Sequence, residues 1–163
     1  MTANRRFWGW GNEDAGPDAS QQRTIASNVA KRFGTDESLL PEPRIEDVVL
    51  PEPRVAIPAA LADCCASDPL SRASHTYGKS YRDTIRALRG DFAAAPDFVA
   101  RPRDEAEVAA VLDWCGSHDV AAIPYGGGSS VVGQHQQQVR QSPNSRQLLK
   151  ALCECRCGTA AAR

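Results

Sequence analysis

Between residues 97 and 130 the spacing of apolar residues changes twice, and few folds accommodate the resulting order. Asp97-Phe98-Val99-Ala100 reads as a short strand ended by Pro102. Asp104 then starts a helix in which Val108, Val111, Leu112 and Cys115 form one stripe. Glu105 and Glu107 fall in its first turn, where backbone dipoles favour anions. Gly116 or Asp119 ends it. Val120-Ala121-Ala122-Ile123 is a second strand, and it runs directly into Pro124-Tyr125-Gly126-Gly127-Gly128-Ser129-Ser130. Strand, helix, strand with short joints is a βαβ unit, so the two strands are expected to be parallel neighbours with a right-handed crossover.

The preceding residues are less regular. Arg5-Arg6-Phe7-Trp8-Gly9-Trp10-Gly11 is aromatic and punctuated by glycine, which predicts a loop docked on something larger. Residues 18–33 read as a helix, with Ile25, Val29 and Phe33 recurring every four residues and Gly34 placed as a C-terminal cap. Leu40-Pro41-Glu42-Pro43-Arg44 recurs as Leu50-Pro51-Glu52-Pro53-Arg54. Two proline-rich copies cannot form a solenoid, so extended connectors are expected. Residues 58–66 read as a short helix with Pro58 in its first turn. Residues 80–88 read as another, with Tyr81, Ile85 and Leu88 on one face and Gly90 closing it.

A chain of 163 residues fits one domain, or one and a small part of another. Hydrophobic residues at 42% and charged residues at 24% exclude wholesale disorder. A net charge of -1 removes the basic footprint of a nucleic-acid binder. No apolar run reaches the roughly 18 residues of a membrane helix, and residues 1–18 hold no apolar core of a secretory signal. The expected setting is therefore cytoplasmic. Charge also divides the chain: residues 1–133 carry 14 basic and 19 acidic groups, a net of -5, whereas residues 134–163 carry 5 and 1, a net of +4. Six of eight Gln and three of six Cys lie in that last stretch.

Three consecutive glycines are costly unless their freedom is used, because glycine loses the most backbone entropy on folding. Without Cβ atoms, successive amides can converge on an anion, and Ser129 and Ser130 add hydroxyl donors. A phosphate or pyrophosphate is the natural guest; a plain surface turn is the alternative. The standard phosphate motifs fail on spacing. Gly128 to Gly133 has the gap of a Walker loop, but Gln134-His135 stands where Lys-Ser/Thr is required. Gly126-x-Gly128 is followed by Val131 and not glycine, which breaks the Rossmann fingerprint. Gly127-x-Ser129 does not continue as a nucleophile elbow.

The run Ile123-Pro124-Tyr125-Gly126-Gly127-Gly128-Ser129-Ser130-Val131-Val132-Gly133 resembles the FAD pyrophosphate loop of the vanillyl-alcohol-oxidase (PCMH-type) flavoproteins. Within these it is most similar to the alkylglycerone-phosphate (alkyldihydroxyacetonephosphate) synthase branch of FAD-linked oxidases. Trp8-Gly9-Trp10-Gly11, His75-Thr76-Tyr77-Gly78-Lys79-Ser80-Tyr81-Arg82-Asp83, Ala95-Pro96-Asp97-Phe98-Val99 and Arg101-Pro102 resemble the same branch in order and spacing. The resemblance implies an α+β fold. It makes residues 1–90 a helical and irregular N-terminal segment, and residues 91–133 the first part of a PCMH-type FAD-binding domain. It implies non-covalent FAD, with Pro124, Tyr125, Gly126, Gly127, Gly128, Ser129 and Ser130 around the pyrophosphate. Redox chemistry or alkyl-for-acyl exchange then belongs to the family. Members continue into a second FAD subdomain and a substrate domain carrying the catalytic residues. Nothing after Gly133 matches them, so residues 134–163 are expected to be a frameshifted, disordered tail on a truncated chain that is inactive alone or does not retain flavin.

Other candidates are weaker. Cys153-x-Cys155-x-Cys157 has one-residue gaps unlike zinc spacing, so no metal site is expected. Cys64 and Cys65 are read as core or surface thiols. His75 is expected to be structural, and His118 to serve the C-terminal end of the preceding helix. Arg82, Arg86 and Arg89 are read as a solvated helix face, with an anion site as the alternative. Trp114 is read as core packing.

Overall fold

The computed structural model describes residues 5–128. Helix α1, Ala19–Phe33, starts on a capping box: the Asp18 carboxylate accepts from the Ser20 and Gln21 amides at 2.8 and 2.9 Å, and the Gln21 side-chain Oε1 accepts from the Asp18 amide. Gly34, at φ 64°, ends it in the left-handed region. Its limits match the sequence pattern, but its packing does not. Ala30 is the buried residue, while Ile25, Val29 and Phe33 are 54, 47 and 68% exposed. A four-residue period shows which side chains share a face, and says nothing of whether another element covers that face.

The N-terminal loop docks as expected. The Arg6 amide donates to the Gly11 carbonyl at 3.0 Å, and Arg5 pairs with Asn12, so the loop doubles back on itself. Phe7 is buried with Ala73, Ala87 and Phe92, its ring centroid 6.0 Å from that of Phe92. Trp10 Nε1 donates to the Lys79 carbonyl at 2.6 Å, and Lys79 Nζ donates to the Phe7 carbonyl at 2.5 Å. A 3₁₀ turn at Ile45–Asp47, with Val48 and Leu50 beyond it, packs on the same cluster.

A second core holds Leu61, Cys64, Phe98, Ala100, Val111, Cys115 and Val120. The short helix expected over residues 58–66 is a 3₁₀ helix, Ala59–Cys64, led in by Pro58 and ending two residues early. The chain then straightens into β1, Cys65–Ala66, which pairs antiparallel with β2, Val99–Ala100, in the register Cys65↔Ala100 and Ala66↔Val99. The Arg101 amide extends the ladder to the Cys64 carbonyl at 2.6 Å. This corrects the βαβ expectation. Among the described residues β2 pairs antiparallel, with a segment read as helix, and the strand expected over 120–123 is reduced to a single bridging residue, Ala122. Local pattern marks a strand but not its partner, which is set by whichever backbone folding brings alongside.

Helix α2, Pro69–Ser74, is capped by Asp68, whose carboxylate accepts from the Ser71 amide. Helix α3, Tyr81–Leu88, is capped by Ser80 and closed by Gly90 at φ 72°. Its buried residues are Asp83 and Ala87, and the expected face is corrected here too, since Tyr81 is 84% exposed. Helix α4, Glu105–Ser117, is capped by Asp104 as predicted. Val111 and Cys115 are buried, but Leu112 is exposed. Trp114 packs on the core instead, 6.0 Å from Phe98. Short antiparallel strands among separate helices make an α+β arrangement. No helix of the described residues is long and apolar enough to cross a membrane.

Candidate functional site

The stretch after α4 returns through the core at Val120 and Ile123 and surfaces at Pro124. Tyr125 turns back inward. Its ring is buried against Val99 and lies 4.8 Å from the His75 ring, and its hydroxyl donates a shared hydrogen bond to the Ser74 and Tyr77 carbonyls, both at 3.2 Å. Gly128 then closes over that ring. It is buried, its φ is 68°, and a Cβ there would lie 2.3 Å from the Tyr125 hydroxyl oxygen and 2.7 Å from Cζ. Gly126 and Gly127 differ. Both are exposed, a Cβ on either would meet nothing within 4 Å, and no described residue accepts a hydrogen bond from their amides. Two adjacent residues of the loop are thus exposed, with open space where a side chain would stand and amides that no described residue engages, which leaves them available to an anion. Ser129 and Ser130, expected on the same anion, lie outside the described residues, as do residues 131–163 with Cys153, Cys155 and Cys157.

The floor under this loop is the segment His75 to Asp83. His75 is buried, and its Nδ1 donates to the Ser71 carbonyl at 2.6 Å, which ties the ring to α2. Thr76 Oγ1 donates to the Arg72 carbonyl at 3.0 Å, and the Tyr77 hydroxyl donates to Asp91 at 3.2 Å. Burial, with the Asp91 charge behind it, pushes the Tyr77 phenol up. Lys79 is pulled down to about 8 by burial, against the opposing pull of Asp83. Arg86 bridges to Asp83 at 3.4 Å and lies over the Tyr77 ring at 5.2 Å, while Arg82 and Arg89 stay in solvent, so the three arginines form no common site.

Two buried charges brace the strand that precedes α4. Asp97, 2% exposed, accepts from the Arg54 amide at 2.6 Å and from its guanidinium at 3.2 and 2.7 Å. Arg72, also buried, donates to the Pro96 and Pro51 carbonyls, each at 2.6 Å. Neither residue stood out in the sequence, although Asp97 follows Pro96 within the stretch on which the resemblance rests. The remaining candidates are structural. His118 Nδ1 donates to the Trp114 carbonyl at 2.8 Å and its ring stacks on Trp114, which seals the end of α4. The Cys64 and Cys65 sulfurs lie 4.0 Å apart, and burial, then Cys64, pushes the Cys65 thiol up to about 12. The described residues contain no group of three side chains able to hold a metal. A cleft of about 500 Å³ between Arg6, Trp8 and the Pro43 to Glu46 turn shares no residue with the glycine loop.

Residues 96–141 match a family model described as an FAD binding domain; the match starts just before β2, includes the glycine loop and runs on past Gly133. Over 120 residues the chain is 33% identical to the alkyldihydroxyacetonephosphate synthase of Dictyostelium discoideum, covering 69% of this chain and 19% of that protein. Over 66 residues it is 35% identical to the synthase of Trypanosoma brucei brucei, covering 40% of this chain and 11% of the relative. Two solved structures of alkyldihydroxyacetonephosphate synthase superpose with TM-scores of 0.66 and 0.65 at 23 and 21% identity, covering 91 and 92% of this chain and 32% of each of theirs. The chain thus spans a minor part of the length of the relatives it matches.

Proposed function

We propose that this chain, an alkyldihydroxyacetonephosphate-synthase-like sequence carrying the N-terminal part of an FAD-binding domain, grips the FAD pyrophosphate with the loop that begins at Pro124 and includes Ser129 and Ser130. The observation that carries this reading is the pair of exposed glycines, Gly126 and Gly127, whose amides no other described residue engages, inside the segment that matches the FAD-binding family. Bound FAD would supply the electron-accepting chemistry of a flavin-dependent oxidoreductase or alkyl-transfer enzyme. The chain's own residues supply position: Gly126 and Gly127 leave room for the diphosphate oxygens, and their N–H groups meet its charge without a cationic side chain. None of the described residues is assigned a catalytic role.

A flavin site buries most of its ligand, whereas the described loop offers contacts to the diphosphate alone. The 163-residue chain is therefore expected to hold FAD weakly and to turn nothing over by itself. Titration of the purified chain with FAD, followed by quenching of flavin fluorescence, tests this. Weak, saturable binding in the native chain, lost in Gly127→Asp, supports the reading. Equal binding by native and variant chains would overturn the assignment of the loop, and no binding at all would favour a fragment without flavin. A preparation that stays yellow after desalting would overturn the weak retention.

A further inference from the structure

The glycine loop and the segment His75 to Asp83 lie far apart in sequence, yet one side chain joins them. The Tyr125 hydroxyl reaches the carbonyl of Ser74, the last residue of α2, and that of Tyr77 in the turn beyond it. Its ring is held between Val99 of β2 and the ring of His75, itself fixed to the Ser71 carbonyl. From the other side Gly128 lies so close that a single added methyl would overlap the hydroxyl. The backbone from 125 to 128 thus wraps around the ring of its own first residue. The two residues between, Gly126 and Gly127, are the ones turned out to solvent. Glycines alone hold no such shape, since they have the widest choice of backbone conformations.

We propose that Tyr125 is a positioning residue for the anion-binding loop. Seated on the Ser74 and Tyr77 carbonyls beneath Gly128, it holds the exposed Gly126 and Gly127 backbone in one shape, ready for a diphosphate. The segment His75 to Asp83 is then the base of the cofactor loop. The identity of the anion rests on the FAD reading; the tether itself does not. Preorganisation of this kind raises affinity by removing the cost of ordering the loop on binding.

Backbone 15N relaxation on the full 163-residue chain tests the tether. Tyr125→Phe keeps the ring but removes the hydroxyl, and Gly128→Ala drives a methyl into the hydroxyl from the opposite side. In both variants the order parameters of Gly126 and Gly127 should fall from the rigid-backbone range of about 0.85 to below about 0.6, while Val111 and Cys115 in α4 keep theirs. Affinity for FAD and for inorganic pyrophosphate should fall by about fivefold to tenfold in Tyr125→Phe, the size of one lost hydrogen bond. Unchanged order parameters at the loop in both variants overturn the proposal, as does a looser loop with unchanged affinity. If the native chain binds neither FAD nor pyrophosphate, the cofactor reading falls, and the relaxation measurement alone decides whether Tyr125 holds the loop.

Discussion

Gly126, Gly127 and Gly128 read alike in the sequence but answer to different constraints. Gly128 sits at φ 68° with the Tyr125 hydroxyl in the space of its missing side chain. Alanine there should destabilise the fold by more than about 2 kcal/mol, from left-handed backbone and overlap together. Gly126→Ala meets nothing and adopts no positive φ, so it should be neutral or stabilise by up to ~1 kcal/mol through the unfolded chain. Urea melts of the two variants check the contrast. The sequence attributes all three glycines to a ligand. That the third belongs to Tyr125 is a contact through space, and no spacing rule contains it. Lys79 makes a second prediction at this scale. Its ammonium is pulled from 10.5 to about 8 on folding. Between those values the unfolded chain binds a proton that the folded chain lacks, so stability should rise with pH from about 8. Cys65, pushed from 9.0 to about 12, acts in the opposite sense above pH 9, because the folded thiol keeps the proton that the unfolded one sheds. The urea midpoint should therefore climb between pH 7.5 and 9 in the native chain and climb less in Lys79→Met.

At the scale of the elements, the duplicated Leu-Pro-Glu-Pro-Arg shows how position overrides sequence. In the first copy Arg44 makes an exposed ion pair with Glu46 at 3.7 Å. In the second, Arg54 grips the buried Asp97 through backbone and side chain together. Arg44→Ala should leave stability within about 0.5 kcal/mol, whereas Asp97→Ala should cost about 3 kcal/mol; calorimetric melts would separate them. Helix starts were legible because caps are local: Asp18, Ser80 and Asp104 each occupy the position that the pattern assigns them. Helix α2 was missed even though Asp68-Pro69 is a start signal, since six residues with a single large apolar side chain show no period. The antiparallel partner of β2 was not legible at all. It depends on the 3₁₀ segment ending at Cys64, which places Cys65–Ala66 beside Val99–Ala100.

Across the whole molecule, the fold class and the likeness to the alkyldihydroxyacetonephosphate synthases followed from ordered motifs spread along the chain, while the packing between those motifs did not. Two main cores result, one beneath the N-terminal loop and one beneath α4, with Val99 and Tyr125 as a smaller buried pair. The apolar side of α1 joins neither. Phe33→Ser should leave the melting temperature unchanged within about 2 °C, since a side chain 68% exposed has little burial to lose. It should also lower binding of a dye that seeks apolar surface. The tryptophans follow the same partition. Trp8 belongs to the loop cluster, and Trp10 is tied to Lys79 beside it, whereas Trp114 lies against Phe98 in the other core. Indole emission from this chain is consequently a two-colour report, in which detachment of the amino-terminal arm and melting of the region under α4 register as distinct spectral components without any added label.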